Sequence, residues 1–594
     1  MKKFIVSIIS FIMICSYIYP YNHIEANEEF KISFQKAYAT INDTIQLEIS
    51  GADVDDCEIE WSIDSDVLLK NETRFPVKEE YLQELIKVEV QYQNQTLSKQ
   101  MLISDLPVIY IDIENQQEVE SKDIYLNADI VMSGNKAYPE SIYYEGTTEI
   151  KGRGNSTWEL PKKPYRLKLA EKASLYGMNA NKHWNLIANY LDESLLRNQI
   201  AYELSDAFGL YSVKSTLVDV VLNGRKIGNY QLCEHTRVDE NRVDILDYEA
   251  IAEDIAKAYG TEKGFSKELR KELENKMIQN LNWITTGVFE FYPDDWMLDS
   301  YRIQISDYYK LLNINGGYLI ELDDTMDELT KFYSSLNQPI MVKSPEYLYT
   351  NETMLNDVKA YIDHFESSIQ NTEDFSVNID EQTYHYSDLY DMDSLVKYFL
   401  VQEIFFNYDS MKRSTYMYKD VDEKMMMGPV WDMDYSSGND HVFEYYDRWE
   451  TLYFNYDTQA KSWYKCLIKD PYFVTKLRES YWCYRDELEN IIKTDGSIDA
   501  YEQYLMTSAK ENATLWHDSD SFSRNVKVFK DWMIDRIEWL DAQFDSQSSI
   551  MSSFQLANYN DEFVNLKQVD ESKEVDVSTN EYDDILLPMD YDLK

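Results

Sequence analysis

The stretch "FFNYDSMKRSTYMYKD" (Phe405–Asp420), followed by "GPVWDMDYSSGND" (Gly428–Asp440), decides how this chain is read. Aromatic and apolar residues dominate it, yet it carries Asp409, Asp432 and Asp434. An ionised carboxylate in apolar company is costly unless a cation or a fixed donor compensates it. Upstream, "MDSLVKYFLVQEIFFNYD" (392–409) has the pattern of a helix that delivers Asp409 at its C-terminal end. "STYMYKD" and "MGPVWDMD" then read as a hairpin with Asp432 and Asp434 on the same strand face. Paired carboxylates of this kind suit Mg²⁺, which binds through one or two carboxylates plus phosphate oxygens.

A phosphate partner is sought among cations, and "KGRGNSTWELPKKPYRLKL" (Lys151–Leu169) is the strongest basic cluster in the chain. A period of two puts Tyr165, Leu167 and Leu169 on one strand face and Arg166 and Lys168 on the other. The glycines of "GRGNST" allow the backbone N–H groups to approach an anion closely. Arg153, Lys163, Arg166 and Lys168 are therefore the candidate phosphate contacts, with a plain tight hairpin as the competing reading. In "HWNLIANYLDESLLRNQIAYEL", Asp192 or Ser194 caps a helix bearing Arg197 and Asn198. Arg197 reads either as a phosphate contact or as the partner of a carboxylate. In "GNYQLCEHTRVDENRVDI", Glu234 shares an apolar strand face with Tyr230 and Leu232. It either receives a donor from a bound nucleoside or pairs with a nearby arginine.

The remaining chain frames these segments. Net charge is −50, which argues against unaided binding to nucleic acid or an anionic membrane. Residues 1–26 read as a secretory signal peptide, with an uncleaved anchor as the alternative. Residues 28–105 show short alternating runs, such as "TIQLEIS" and "IKVEVQYQ", separated by polar turns. They predict a small antiparallel β-sandwich (Ig-like) with Trp61 in its core. From 106 to about 545 the pattern is α+β, with helices at 192–208, 253–284, 353–372, 392–406, 471–494, 498–515 and 523–544. The charged 253–284 segment reads as a surface insertion, and 546–594 as an acidic disordered tail. Cys57, Cys233, Cys466 and Cys483 show neither disulfide-framework nor zinc spacing.

Six segments, in this order, resemble the spore-coat protein H (CotH) kinase family. They are the basic strand pair, "WNLIANYLDESLLRNQIAYEL", "VVLNGRKIGNYQLCEHTRVDENRVDI", "GGYLIELDD", "NYDSMKRSTYMYKD" and "GPVWDMDYSSGN". The resemblance covers roughly 106–545 and implies an atypical protein-kinase-like domain. It implies transfer of the ATP γ-phosphate to Ser/Thr of coat or surface proteins, with Mg²⁺ (or Mn²⁺) and a secreted, cell-surface or spore-coat location. It further implies Asp409 as the base, Asp432 and Asp434 at the metal, Arg153, Lys163, Arg166 and Lys168 at the phosphates, and Glu234 near the nucleoside. The sequence departs from the family pattern at Ser414, where active kinases carry an asparagine that binds the second metal. A catalytically weak coat or surface scaffold is the alternative. A glycosidase built on Glu321 and Asp323 ranks below both, because these residues share a strand face better suited to ion pairing.

Overall fold

A computed structural model of the protein describes residues 29–295, 297, 299–310, 313–439, 463–517 and 521–550. The predicted signal peptide and the acidic tail beyond residue 550 lie outside the described residues. The chain forms two compact units. One runs to Val108 and includes Ser133–Ile142; the other comprises Ile109–Met132 and everything from Tyr143.

In the first unit, β1 (Lys31–Phe34), β2 (Thr44–Ser50) and β5 (Arg74–Pro76) make one sheet. The strands β3 (Glu58–Ile63), β4 (Asp66–Lys70), β6 (Leu85–Tyr92) and β7 (Gln95–Leu102) make another. Period-two alternation in β6 turns Ile86, Val88 and Val90 inward. They share one core with Ile45, Leu47 and Phe75 of the other sheet and with Trp61. The Trp61 indole N–H donates to the Glu72 carbonyl at 2.7 Å, so its one polar atom is satisfied.

The second unit mixes helix and strand, as the sequence predicts. Seven of its strands are β8 (Val108–Ile113), β9 (Leu126–Ser133), β10 (Ile142–Gly152), β11 (Tyr165–Ala173), β12 (Asn181–Ile187), β13 (Ser215–Leu222) and β14 (Arg225–Glu234). They close into a barrel in the order β10-β11-β12-β14-β13-β8-β9. Closure leaves no unpaired edge, and Ile150, Leu167, Leu169, Trp184 and Leu232 fill the core. Between β12 and β13 lies α1 (Arg197–Ala207). Beyond the barrel come α2 (Tyr248–Glu262), α3 (Lys267–Gln279), α4 (Asn282–Thr286) and the hairpin β15 (Val288–Phe291)–β16 (Tyr301–Gln304).

A five-stranded antiparallel sheet follows, in the order β18-β19-β17-β22-β23. Its members are β17 (Tyr318–Leu322), β18 (Thr330–Tyr333), β19 (Pro339–Ser344), β22 (Thr415–Lys419) and β23 (Met425–Met427). Between β19 and β22 run α5 (Glu352–Gln370), the hairpin β20 (Ser376–Ile379)–β21 (Gln382–His385), α6 (Tyr386–Leu389) and α7 (Met392–Phe405). Helices at Trp463–Leu467, Pro471–Cys483, Arg485–Ile492, Ser497–Trp516 and Phe522–Gln543 complete the unit. The single helix expected over 471–494 is therefore two, broken at Tyr484, whose φ of −107° and ψ of 11° are not helical.

Among the described residues no helix is long and apolar enough to cross a membrane. Cys57, Cys233 and Cys466 are buried thiols and Cys483 is an exposed one.

One buried cation ties the barrel to the helical layer. The fully buried Lys162 ammonium donates to the Ala188 carbonyl at 2.8 Å, to Asn512 Oδ1 at 2.7 Å and to the Asn229 carbonyl, and lies over the Tyr230 ring. Replacing it removes a buried donor from three acceptors, of which Asn512 Oδ1 keeps the Asn229 N–H at 3.2 Å. Lys162→Met is expected to cost about 2–4 kcal/mol, read as a lower unfolding midpoint in urea; an unchanged midpoint would show the clamp to be dispensable.

Candidate active site

The apolar helix α7 starts on the Asp391 side chain, which accepts the Ser394 N–H at 2.8 Å, and ends at Phe406 with φ near +50°. This left-handed residue turns the chain out of the helix, and Asp409 follows in a tight loop. The Asp409 carbonyl accepts the N–H groups of Lys412 and Arg413 at 3.0 and 2.9 Å, while Asn407 Oδ1 accepts the Asp409 N–H at 3.2 Å. The Asp409 carboxyl is only 7% exposed. Burial, and then the charge of Asp432, pushes its pKa up to about 7 against the pull of Arg413 and Lys412.

Asp432 and Asp434 reach the same place by a route different from the expected one. The β22–β23 hairpin forms, but β23 ends at Met427, and the two aspartates sit in an irregular segment rather than on a strand face. Pro429 has no N–H to continue the ladder, and Asp432 itself is left-handed at φ +61°. Asp434, 7% exposed, donates a hydrogen bond to Asp432. Burial, then Asp432, Asp409 and Asp192, raises its pKa well above the carboxylate range.

Ser414 completes the group: its Oγ donates to Asp432 Oδ2 at 3.1 Å, and its N–H donates to Asp323 Oδ2 at 3.2 Å. Among the described residues, no group of three or more His, Cys, Asp or Glu side chains closes around a cation. The donor set is instead an open half-shell of two carboxylates and a hydroxyl. It fits Mg²⁺, whose remaining ligands come from phosphate and water.

The segment after β23 is held from the far side by the start of α1. Asp192 pairs with Arg197 and accepts its N–H at 3.0 Å, so it caps the helix from five residues upstream. The Arg197 guanidinium then donates to the carbonyls of Ser436 and Ser437 at 2.9 and 3.3 Å. Asn198 Oδ1 accepts the Met433 N–H at 2.8 Å. Of the two readings of Arg197, the structure gives the carboxylate pair.

A cleft of about 740 Å³ opens between the barrel and the five-stranded sheet; Asp409, Asp432 and Asp434 do not line it. Lys151, Arg153, Arg166 and Arg237 line its barrel side, and Lys343, Tyr416 and Trp431 the other. The link to the metal half-shell is Trp431, next to Asp432: the Arg153 guanidinium lies over its ring at 5.5 Å, and Tyr202 stacks on it at 6.0 Å. The Arg166 Nε is buried without a hydrogen-bond partner, as a waiting anion contact would be.

Arg153 and Arg166 line this cleft; Lys163, Lys168 and Glu234 do not. Lys163 folds back to the Trp158 carbonyl at 2.6 Å. Lys168 pairs with Glu149 at 2.7 Å and lines a separate groove with Asp112 and Asp129. Glu234 is buried against Arg242 at 2.8 Å and accepts the Lys214 N–H at 3.2 Å. The Gly152 and Arg153 N–H groups are used within the fold, by the carbonyls of Ser121 and Pro164, while Gly154 and Asn155 of the same turn line the cleft. Alternation put Arg166 and Lys168 on one face correctly, but carried no information about which cross-strand neighbour neutralises each.

The structure adds residues that spacing did not reveal. Arg237 joins the barrel wall. Asp323 and Asp192 join the acidic group. Glu321, held up to about 7 by burial, meets Lys343 at 3.2 Å, which is the ion pairing its strand position suggests.

A family model described as CotH kinase protein matches residues 150–286 and 298–540. The chain belongs to the CotH kinase family. Among curated proteins, none matches it. The CotH match begins on β10 and ends within the last helix, so it includes both walls of the cleft and all three aspartates.

The crowded carboxylates make a metal-free prediction. Because the folded-state pKa of Asp409 stands at about 7, above its ordinary 3.8, the folded protein holds a proton that the unfolded chain releases between these values. Stability is therefore greater on the acid side of this window and is lost as pH rises through 7. In EDTA, wild type is expected to lose about 2–3 kcal/mol relative to Asp409→Asn between pH 5 and pH 8, measured by urea unfolding. Parallel pH profiles for the two proteins would contradict the placement of this carboxyl.

Proposed function

We propose that this CotH family member is an exported, Mg²⁺-dependent protein kinase that transfers the γ-phosphoryl group of ATP to Ser or Thr of coat or surface proteins. The observation that carries this reading is the meeting of Asp409 with the Asp432–Asp434–Ser414 half-shell, joined through Trp431 to an arginine-lined cleft. Arg153 and Arg166 attract and orient the polyphosphate tail. Asp432 and Asp434 would hold Mg²⁺ (or Mn²⁺). When bound, the metal neutralises charge on the phosphate oxygens.

Asp409 receives the proton of the acceptor hydroxyl. The new bond joins that oxygen to the γ-phosphorus, the bond from the γ-phosphorus to the bridging oxygen breaks, and its electrons leave with the diphosphate. A carboxyl held near neutral pH suits a base that takes and returns a proton at each turnover. The raised Asp434 has the opposite use: it yields its proton when the cation arrives.

One observation favours a second reading, a catalytically weak member acting as a coat or surface scaffold. Ser414 is short, and its hydroxyl is engaged by Asp432 rather than projecting toward a second metal. Assay with labelled ATP and Mg²⁺ separates the two: a wild-type protein that labels neither itself nor a Ser-rich acceptor is the scaffold.

For the kinase, Asp409→Asn is expected to lower phosphate transfer by about 10²–10⁴-fold while Mg²⁺–ATP affinity stays within about twofold of wild type. Asp432→Asn is expected to weaken Mg²⁺–ATP binding about tenfold or more and to leave metal-free ATP binding unchanged. Wild-type behaviour of both variants would refute these roles.

A further inference from the structure

The barrel wall of the cleft carries three arginines that form no ion pair among the described residues, although Asp123, Asp247, Glu249, Asp327, Glu328 and Glu346 also line the cleft. Arg153 stands on the β10–β11 turn, Arg166 on β11 opposite Asn185 of β12, and Arg237 just after β14. In a chain with a net charge of −50, none of these three forms an ion pair among the described residues; the arginines that do are elsewhere. Arg153 has the Trp431 ring, and Arg237 Nε reaches only the neighbouring Val238 carbonyl at 3.4 Å. Glu328, the acidic group acting on Arg166 from the facing sheet, is itself paired with Lys343.

Neutral polar groups fill the space between the arginines. Asn185, 2% exposed, lines the cleft with its Oδ1 unpartnered, and His183 Nδ1 and Thr236 Oγ1 are buried and unpartnered as well. The Asn185 Nδ2 lies 3.4 Å from His235 Nδ1, and the His183 and His235 rings are 6.4 Å apart. Buried donors and acceptors left open at a cleft wall, beside guanidinium groups without ion pairs, describe a prepared anion site with the anion still to come.

We propose that this wall is a proton-coupled oxyanion subsite: Arg153, Arg166 and Arg237 grip the phosphates of a polyphosphate ligand, and His235 becomes a charged donor as that ligand binds. The inference rests on placing the nucleotide's phosphates in this cleft, and adds Arg237, His183 and His235 to their recognition. The charged and titratable groups facing His235 are Arg166 from β11, His183 from β12, Arg153 from the β10–β11 turn and Arg237 from its own segment, with Asp247 and Glu249, which feel Arg237, on the same cleft. Burial and these cations hold His235 well below the ordinary histidine range and take His183 down to about 3, so both rings are neutral in the free protein. Glu234, the adjacent acid in the chain, is committed to Arg242. A ligand carrying three or four negative charges among the arginines reverses the local potential and favours the imidazolium. Linkage then requires that binding take up a proton and tighten as pH falls.

Calorimetry tests this with inorganic tripolyphosphate added to the full chain at pH 6.5, in two buffers of different ionisation enthalpy. Wild type is expected to take up on the order of half a proton more per ligand than His235→Gln. Mg²⁺–ATP should compete with tripolyphosphate, and adenosine should not. Arg237→Gln, which keeps both histidines, is expected to weaken tripolyphosphate binding about tenfold. As a measurement free of substitutions, the His235 ring proton resonances should report a neutral imidazole in the free protein and a charged one in the complex.

Equal proton uptake by wild type and His235→Gln, or a His235 ring that stays neutral in the complex, would overturn the coupling. Simultaneous binding of Mg²⁺–ATP and tripolyphosphate would overturn the assignment to the nucleotide. If tripolyphosphate does not bind, the phosphate reading of the cleft falls too. Loss of kinase transfer with coupled binding intact would sink the proposed function and leave this subsite standing.

Discussion

Two charged groups, a cluster of crowded carboxylates and a set of arginines without ion pairs, govern this structure. On one side, Asp409, Asp432 and Asp434 crowd together in a space where burial raises the cost of every ionised oxygen. On the other, Arg153, Arg166 and Arg237 line the cleft without carboxylate partners. Arg153 lies over the ring of Trp431, the residue before Asp432, and forms no ion pair with the aspartates. Under the proposed function, a metal–nucleotide complex, carrying a cation and a polyanion, would meet both groups.

Holding like charges together requires a rigid frame, and the frame is assembled from distant parts of the chain. The start of α1 reaches the Met433–Ser437 segment through Arg197 and Asn198. Asp323, at the end of β17, fixes the Ser414 N–H and with it the loop that carries Asp409. Tyr202, Cys233, Leu319, Tyr416 and Trp431 pack in one apolar cluster that joins the barrel, α1 and the five-stranded sheet beneath the cleft. Bonds to carbonyls and N–H groups fix the main chain that carries the carboxylates. The site is thus costly for stability in the absence of that ligand, a common cost of functional carboxylates.

Much of this was legible in the chain. Period-two runs identified the sandwich strands and the buried Trp61, and helical spacing identified α7 and its delivery of Asp409. The same alternation separated Leu167 and Leu169, inside the barrel, from Arg166 and Lys168, outside its core. Local pattern was less informative about partners. Lys168 and Arg166 are two residues apart on one face, yet Glu149 lies opposite the first and Lys151 opposite the second. One is therefore neutralised and the other left open, a difference set by cross-strand register. Glu234 likewise met Arg242 through a turn of the chain that alternation does not describe.

The sequence by itself determined the kinds of element, the carboxylates that matter and the family to which the segments belong, because those depend on residue type and short-range spacing. Only the tertiary structure decided that seven strands close into a barrel, that Asp432 sits left-handed beyond its hairpin, and that Arg237 and His235 face the cleft. Barrel closure, register and the pairing of charges are long-range matters. They depend on which surfaces meet after hundreds of residues have packed, and in a chain this rich in acid the placement of a few unpaired cations is what turns a fold into a site.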